Sequence, residues 1–152
     1  MLLSELLSQN RIKVPLGSRT KDELLRELVG LIASDGAPEA ADAILTAVRE
    51  REQLLSTGIG AGVAIPHGKT PVVDQLLLAA GVAARPVDFD ALDGQPVELF
   101  FLLVGPESAS GAHIKALSRI SRLLRRDALR ERLRAAKSSD EFLNLVRASE
   151  EV

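Results

Sequence analysis

Cysteine, tyrosine and tryptophan are missing from this sequence altogether. Without thiols there is no disulfide framework and no thiolate metal site, so packing alone must hold the core, as in a reducing cytoplasm. Without Tyr or Trp, and with only 4 Phe, there is no aromatic platform on which bases or sugar rings could stack. Neither sign of charge dominates. The 21 acidic and 19 basic residues leave a net charge of -2, which argues against a surface built to coat nucleic acid. The longest apolar run, Leu76 to Ala84, falls far short of the roughly 20 residues that a membrane helix needs. The opening MLLSELLSQN has no basic region and reaches Glu5 within a few residues, unlike a signal peptide. These absences lead us to expect a cytoplasmic protein with no targeting segment, no membrane insertion and no nucleic-acid partner.

What is present suffices for a core. In 152 residues, 46% of them hydrophobic, the sequence holds one domain, 1–152, with no internal repeat, low-complexity tract or linker. Leu2 to Leu7 reads as a short helix or turn, and Ile12 to Leu16 as a strand closed by Gly17. Thr20 and Glu23 form a capping box ahead of Leu24, Leu25, Leu28, Val29 and Ile32, which repeat at helical spacing up to Ala33. A second helix is expected from about Pro38 to Leu55, ending in Arg49 to Glu52 (RERE), whose charges should fall near the loop that follows. Leu76 to Ala84 and Val97 to Val104 read as buried strands separated by an Asp93-Gly94 turn. Ser108, Ser110 and Gly111 open a helix expected to reach Arg126 with His113 in its first turn, and helical segments follow over 127–136 and from a cap at Ser138 and Glu141. Helices before, among and after the strands predict an α/β sandwich around a single mixed sheet.

The chemistry concentrates between Ser56 and Gly68, STGIGAGVAIPHG. Gly58, Gly60 and Gly62 alternate with Ile59 and Ala61, which lets the backbone take positive φ and be approached closely. Val63, Ala64 and Ile65 then lead to Pro66, which lacks an N–H, so His67 should stand at the end of a buried strand, facing out, with Gly68 leaving room beside the ring. A histidine presented this way can be a nucleophile, a general base or a metal ligand. A structural histidine would be the default for a lone one, but stability alone gives no reason for so much backbone freedom beside it. His113 by itself reads equally as a capping or a core residue.

Competing motifs fail on inspection. Gly68-Lys69-Thr70 imitates the end of a phosphate loop, but five residues rather than four separate Gly62 from Gly68, and Pro71 stands where a helix should begin. Val63 occupies the third glycine of a dinucleotide-binding turn. Asp88 to Gly94 has Leu92 where a calcium loop needs Asp or Asn, so it reads as a solvated turn. No HExxH pair accompanies the two histidines, so no metal and no other cofactor is expected. The arginines at 119, 122, 125, 126, 130, 132 and 134 are interrupted by Asp127 and Glu131 and read as a solvated helical face.

Taken together, Arg51-Glu52, STGIG at 56–60, GVAIPHG at 62–68, PVDFDALDGQPVELFFLLVGPE and the HIKALSRISRLL helix resemble, over nearly the whole chain, the IIA domains of the bacterial phosphoenolpyruvate-dependent phosphotransferase system. The likeness is to the mannitol/fructose type, which includes the nitrogen-regulatory IIA proteins. It implies the mannitol/fructose-type IIA fold and a phosphocarrier in which His67 is phosphorylated on Nε2, with His113 and Arg51 stabilising the phosphoryl group. The donor would be an HPr-like phosphohistidine protein, and the acceptor a IIB domain or, in a regulatory branch, proteins bound according to phosphorylation state. Since the chain carries no IIB or IIC segment, the nitrogen-regulatory branch is favoured over a sugar-specific fructose or mannitol component.

The residues suit that chemistry. His67 must be unprotonated at one ring nitrogen while the other donates to an acceptor, either a backbone carbonyl or a carboxylate. Arg51 can bind phosphate oxygens bidentately, and His113 can donate from a helix N-terminus. Ser56, Thr57, Gly58, Gly60, Gly62 and Gly68 are expected to form a loop around the phosphoryl group, and the surface near His67 should be apolar and shallow for transient docking. One departure is Ala61, where many relatives have Asn. It favours a reading of another class, a protein-binding module that is not phosphorylated. A metal-dependent hydrolase is a third reading, requiring bound metal.

Overall fold

The computed structural model describes residues 2–150. Its centre is a pair of strands, β5 (Leu77–Val87) and β6 (Val97–Gly105), in antiparallel register from Leu77 opposite Val104 to Val87 opposite Val97. Both run as near-continuous apolar sequence because both faces are covered. Side chains alternate along a strand, so Leu78, Ala80, Leu99, Phe101 and Leu103 enter one core while Ala79, Phe100, Leu102 and Val104 enter another.

Around this pair the sheet is mixed, with six strands among the described residues. β1 (Ile12–Leu16) lies parallel to β5 on one side. On the other, β2 (Gly58–Gly60) and β3 (Val63–Ala64) form an antiparallel hairpin, with β3 parallel to β6. Further along the same edge β6 pairs with β4 (His67–Lys69). β3 and β4 are one strand path interrupted at Ile65-Pro66, where Leu103 N donates to Pro66 O at 3.1 Å. His67 therefore opens β4, where the sequence placed it at the end of the preceding strand; Pro66 has no N–H to continue the ladder.

Helices cover both faces. α2 (Lys21–Ser34) and α3 (Ala41–Leu54) enclose one core, and α1 (Leu3–Leu6), α4 (Ser110–Leu123), α5 (Asp127–Arg134) and α6 (Ser139–Glu150) the other. Two of the capping residues read from the sequence do cap, Thr20 Oγ1 accepting from Glu23 N at 3.3 Å and Ser138 Oγ from Glu141 N at 3.1 Å, whereas α4 opens after Ala109 with no side-chain cap from Ser108 or Ser110.

Three boundaries differ from expectation. The second helix begins with a 3₁₀ turn at Pro38–Ala40, because proline suits a first turn but the α-helix proper starts at Ala41. α4 stops at Leu123 rather than Arg126, its last turn tightening into 3→ bonds such as Arg125 N to Arg122 O before Asp127 opens α5. β5 runs on to Val87, three residues past Ala84, through exposed Ala84, Arg85 and Pro86, where apolarity is no guide to strand length.

Candidate active site

Three elements converge on His67. On α3, Ala47, Glu50, Arg51 and Leu54 recur at the i, i+3, i+4, i+7 spacing that puts them on one face. From α4 come His113, Ile114 and Leu117, and from β4 His67, Gly68 and Lys69. Together they line an open cavity of about 590 Å³. Gly68 points the other way, onto α3, where a Cβ would sit 3.0 Å from Val48 N and 3.1 Å from the Ala47 carbonyl carbon, so any side chain would push the strand off the helix.

His67 Nδ1 lies 2.9 Å from the Ile65 carbonyl oxygen. A carbonyl only accepts, so Nδ1 carries the proton and, in the neutral ring, Nε2 is left with its lone pair. Between the two acceptors the sequence left open, a backbone carbonyl is the one used. Burial lowers the His67 pKa, opposed by the bond to Ile65, with the Arg51 charge lowering it further, so the neutral nucleophilic form is favoured.

His113 faces it edge-on, with ring centroids 5.6 Å apart and planes at 64°. The ring is only 2% exposed, and among the described residues neither of its buried nitrogens has a hydrogen-bond partner. Burial first, then the neighbouring His67 and Lys69, pushes its pKa down to about 4. Arg51 Nη1 donates to Leu55 O at 3.0 Å, which ties the guanidinium to the end of its own helix. Lys69 Nζ donates to Ser110 Oγ at 3.1 Å, and that hydroxyl donates to Glu107 O at 2.7 Å.

Of the residues singled out in the sequence, His67, His113, Arg51 and Gly68 meet at this cavity. The other glycines do not. Gly60 (φ 104°), Ala61 (φ 56°) and Gly62 (φ 76°) turn the β2–β3 hairpin, and Val63 pairs with Leu99 whereas His67 pairs with Leu103. Four residues of strand at ~3.3 Å each separate them by about 13 Å. Gly60 faces Asp93 and Gly62 faces Arg134, while a Cβ on Gly58 would collide with Ala91 at 2.7 Å. Of the glycines expected to form a loop around the phosphoryl group, only Gly68 lines this cavity, through its backbone, and Ala61 stands at a turn rather than beside His67.

Ser56 and Thr57 brace the hairpin instead. Ser56 Oγ donates to Phe89 O at 3.0 Å and accepts from Gly58 N at 3.1 Å. Thr57 N and Oγ1 donate to the buried Glu52 carboxylate, at 3.0 Å and 2.5 Å to its nearest oxygens. Glu52 is paired in turn with Lys21 Nζ at 2.9 Å. The RERE charges therefore split, because a helix turns about 100° per residue: Glu50 and Arg51 face His67, whereas Arg49 pairs with Asp22 at 2.7 Å and Glu52 anchors the loop. A second cavity of about 540 Å³ on the far side of α3 is lined by these last groups, with Lys21, Asp22, Arg49 and Glu52 paired among themselves. Two of the arginines read as solvated are also partly withdrawn, Arg130 onto Leu124 O at 2.7 Å and Arg134 onto Ala61 O.

Among the described residues no group of three His, Asp or Glu side chains gathers as a metal site. Sequence reading missed three participants. The Ile65 carbonyl has no side-chain signal. Glu52 could have been found as an acid on the inward face of α3, and Lys69 by strand alternation, since residues 67 and 69 share a face.

The family described as "Phosphoenolpyruvate-dependent sugar phosphotransferase system, EIIA 2" matches residues 5–149. The nitrogen regulatory protein of Bradyrhizobium diazoefficiens is 36% identical over 146 residues, spanning 96% of this chain and 95% of that one. The fructose-specific EIIABC component of Bacillus subtilis is 38% identical over 146 residues, but the chain spans only 23% of its length. Among solved structures, nitrogen regulatory protein IIA-Ntr from Neisseria meningitidis superposes with a TM-score of 0.87 at 33% identity, covering 95% of this chain and 98% of that one. The IIA-mannitol enzyme of Escherichia coli, solved in complex with phosphorylated IIB-mannitol, has a TM-score of 0.77 at 22% identity over 94% and 99% of the two chains, a likeness of fold.

Proposed function

The chain belongs to the EIIA type 2 family of the phosphoenolpyruvate-dependent sugar phosphotransferase system, and on that premise we propose that His67 is its phosphoryl acceptor, a phosphocarrier's nucleophile attacking through Nε2. The observation that carries this reading is the 2.9 Å contact between His67 Nδ1 and the Ile65 carbonyl, which leaves Nε2 as the basic nitrogen at the cavity. In the transfer, the Nε2 lone pair forms the new N–P bond as the donor's N–P bond breaks, and that electron pair returns to the donor's imidazole nitrogen. Nδ1 keeps its proton throughout. Handing the group on reverses the step towards an acceptor's nucleophile.

The surrounding residues would stabilise rather than react. Phosphoryl transfer depends mainly on positioning and on charge around the phosphoryl oxygens. Arg51 would exchange the Leu55 carbonyl for phosphoryl oxygens, and the His113 ring, without a hydrogen-bond partner among the described residues, offers a donor. The donor on this reading is an HPr-like phosphohistidine protein; the acceptor is a IIB domain, or the group stays as a regulatory mark. Nitrogen regulatory proteins stand among its relatives at 36% identity and among solved structures at 33%, which supports the regulatory branch.

The test is intact mass after incubation with phosphoenolpyruvate, enzyme I and an HPr-type protein, at neutral to alkaline pH because phosphohistidine is acid-labile. One phosphoryl group should be gained, lost with His67→Ala and only slowed with His113→Ala. A His67→Ala protein that still gains the group would overturn the assignment.

A further inference from the structure

Transfer of a phosphoryl group onto a ring that keeps its Nδ1 proton adds a net charge of about −1 to the cavity, with the negative charge on the phosphoryl oxygens and the ring made cationic. From α3 the cavity receives one cation and one anion, Arg51 and Glu50; from α4 it receives His113, neutral in the resting protein. Those groups alone leave the added charge mostly uncompensated. The remaining charged side chain is Lys69, on the same face of β4 as His67 and lining the same cavity. Among the described residues its ammonium is paired to no carboxylate. It rests on the Ser110 hydroxyl, a neutral and replaceable acceptor at the first residue of α4.

We propose that Lys69 is a second phosphoryl-binding cation of this site, which leaves the Ser110 hydroxyl for a phosphoryl oxygen when His67 is phosphorylated; the inference rests on the phosphocarrier reading above. Lys69 gains and loses no proton in this role. It acts as a charge-assisted donor, and the hydroxyl it leaves keeps its own bond to Glu107 O. The pairing divides the work between the two walls of the cavity: Arg51 meets the phosphoryl group from α3, and Lys69 meets it from the strand and the start of α4.

Lys69→Met and Lys69→Arg, with the unmodified protein alongside, would be phosphorylated enzymatically and titrated by phosphorus NMR from neutral to alkaline pH. Across that range the phosphorus signal follows loss of the Nδ1 proton from the phosphorylated ring; a nearby cation lowers that pKa, so Lys69→Met should raise it by about one unit. The phosphorylation rate should fall about tenfold, the loss expected for one charge-assisted bond, and Lys69→Arg should restore both. Lys69 is exposed, so the variants should melt with the unmodified protein. Slowed transfer with an unshifted titration would assign Lys69 to docking the donor and overturn the proposal, as would no change at all. Absence of phosphorylation in the unmodified protein would remove the carrier reading itself and the proposal with it.

Discussion

A buried imidazole whose nitrogens are both unsatisfied is destabilising, on the order of 1–3 kcal/mol for each lost partner. His113 is such a residue, and its place at the cavity explains why the fold would carry the cost. Two outcomes follow from its chemistry. The unfolded ring takes a proton near its ordinary value of 6.5, the folded ring only near 4, so stability is full above 6.5 and falls as pH drops through that window. The loss should total up to about 3 kcal/mol and cease below the window. His67, also lowered, adds in the same direction. Urea midpoints measured across the window should therefore decline less in His113→Leu than in the unmodified protein. At neutral pH that leucine should stabilise by about 1 kcal/mol while slowing phosphoryl transfer by about 10²-fold, a trade of stability against function. A pH dependence identical in the two proteins would refute the first expectation.

At the scale of the element, the β2–β3 hairpin shows how a sequence pattern can be real and its meaning misplaced. The alternating glycines answer backbone needs, since residues 60 to 62 all have positive φ. Ala61 holds a left-handed conformation that disfavours a Cβ, with its N–H given to Asp93 Oδ2 at 3.3 Å and its carbonyl bonded by Arg134. Asparagine tolerates that conformation better than alanine does. Ala61→Asn should raise stability by about 1 kcal/mol, read by thermal unfolding, and leave the phosphorylation rate unchanged. A faster rate without added stability would return the position to the active site.

Only at the scale of the whole molecule do α3 and α4 become the two lips of one cavity. Leu54 at 80% exposure and Ile114 at 65% stand on those lips. A shallow apolar rim around a charged centre suits the brief docking of one carrier protein on another. Leu54→Asp and Ile114→Asp should each lower kcat/KM for phosphorylation by the donor protein about tenfold or more, as anchors of a small interface do. Their melting temperatures should match the unmodified protein, because neither side chain is buried. Full activity in both would place the docking surface elsewhere.

Local order was legible because it is written in local periods. Unbroken apolar runs marked the two central strands, 3.6-residue spacing marked the long helices, and capping residues marked where α2 and α6 begin. His67 stood out because three glycines and Pro66 precede it, and it lies at the cavity shared by α3, α4 and β4. What no local period contains is the register of β4 on β6, which sets His67 opposite Leu103 and turns it, with Lys69, towards α4. Nor does sequence mark a backbone carbonyl as the acceptor of a ring N–H. The meeting of His67 with His113, the split of the RERE charges across α3 and the distance of the hairpin glycines from the site were decided by the packing of helices on a sheet. Which side chains face one another there depends on contacts between segments far apart in the chain, and no stretch of sequence read alone holds that information.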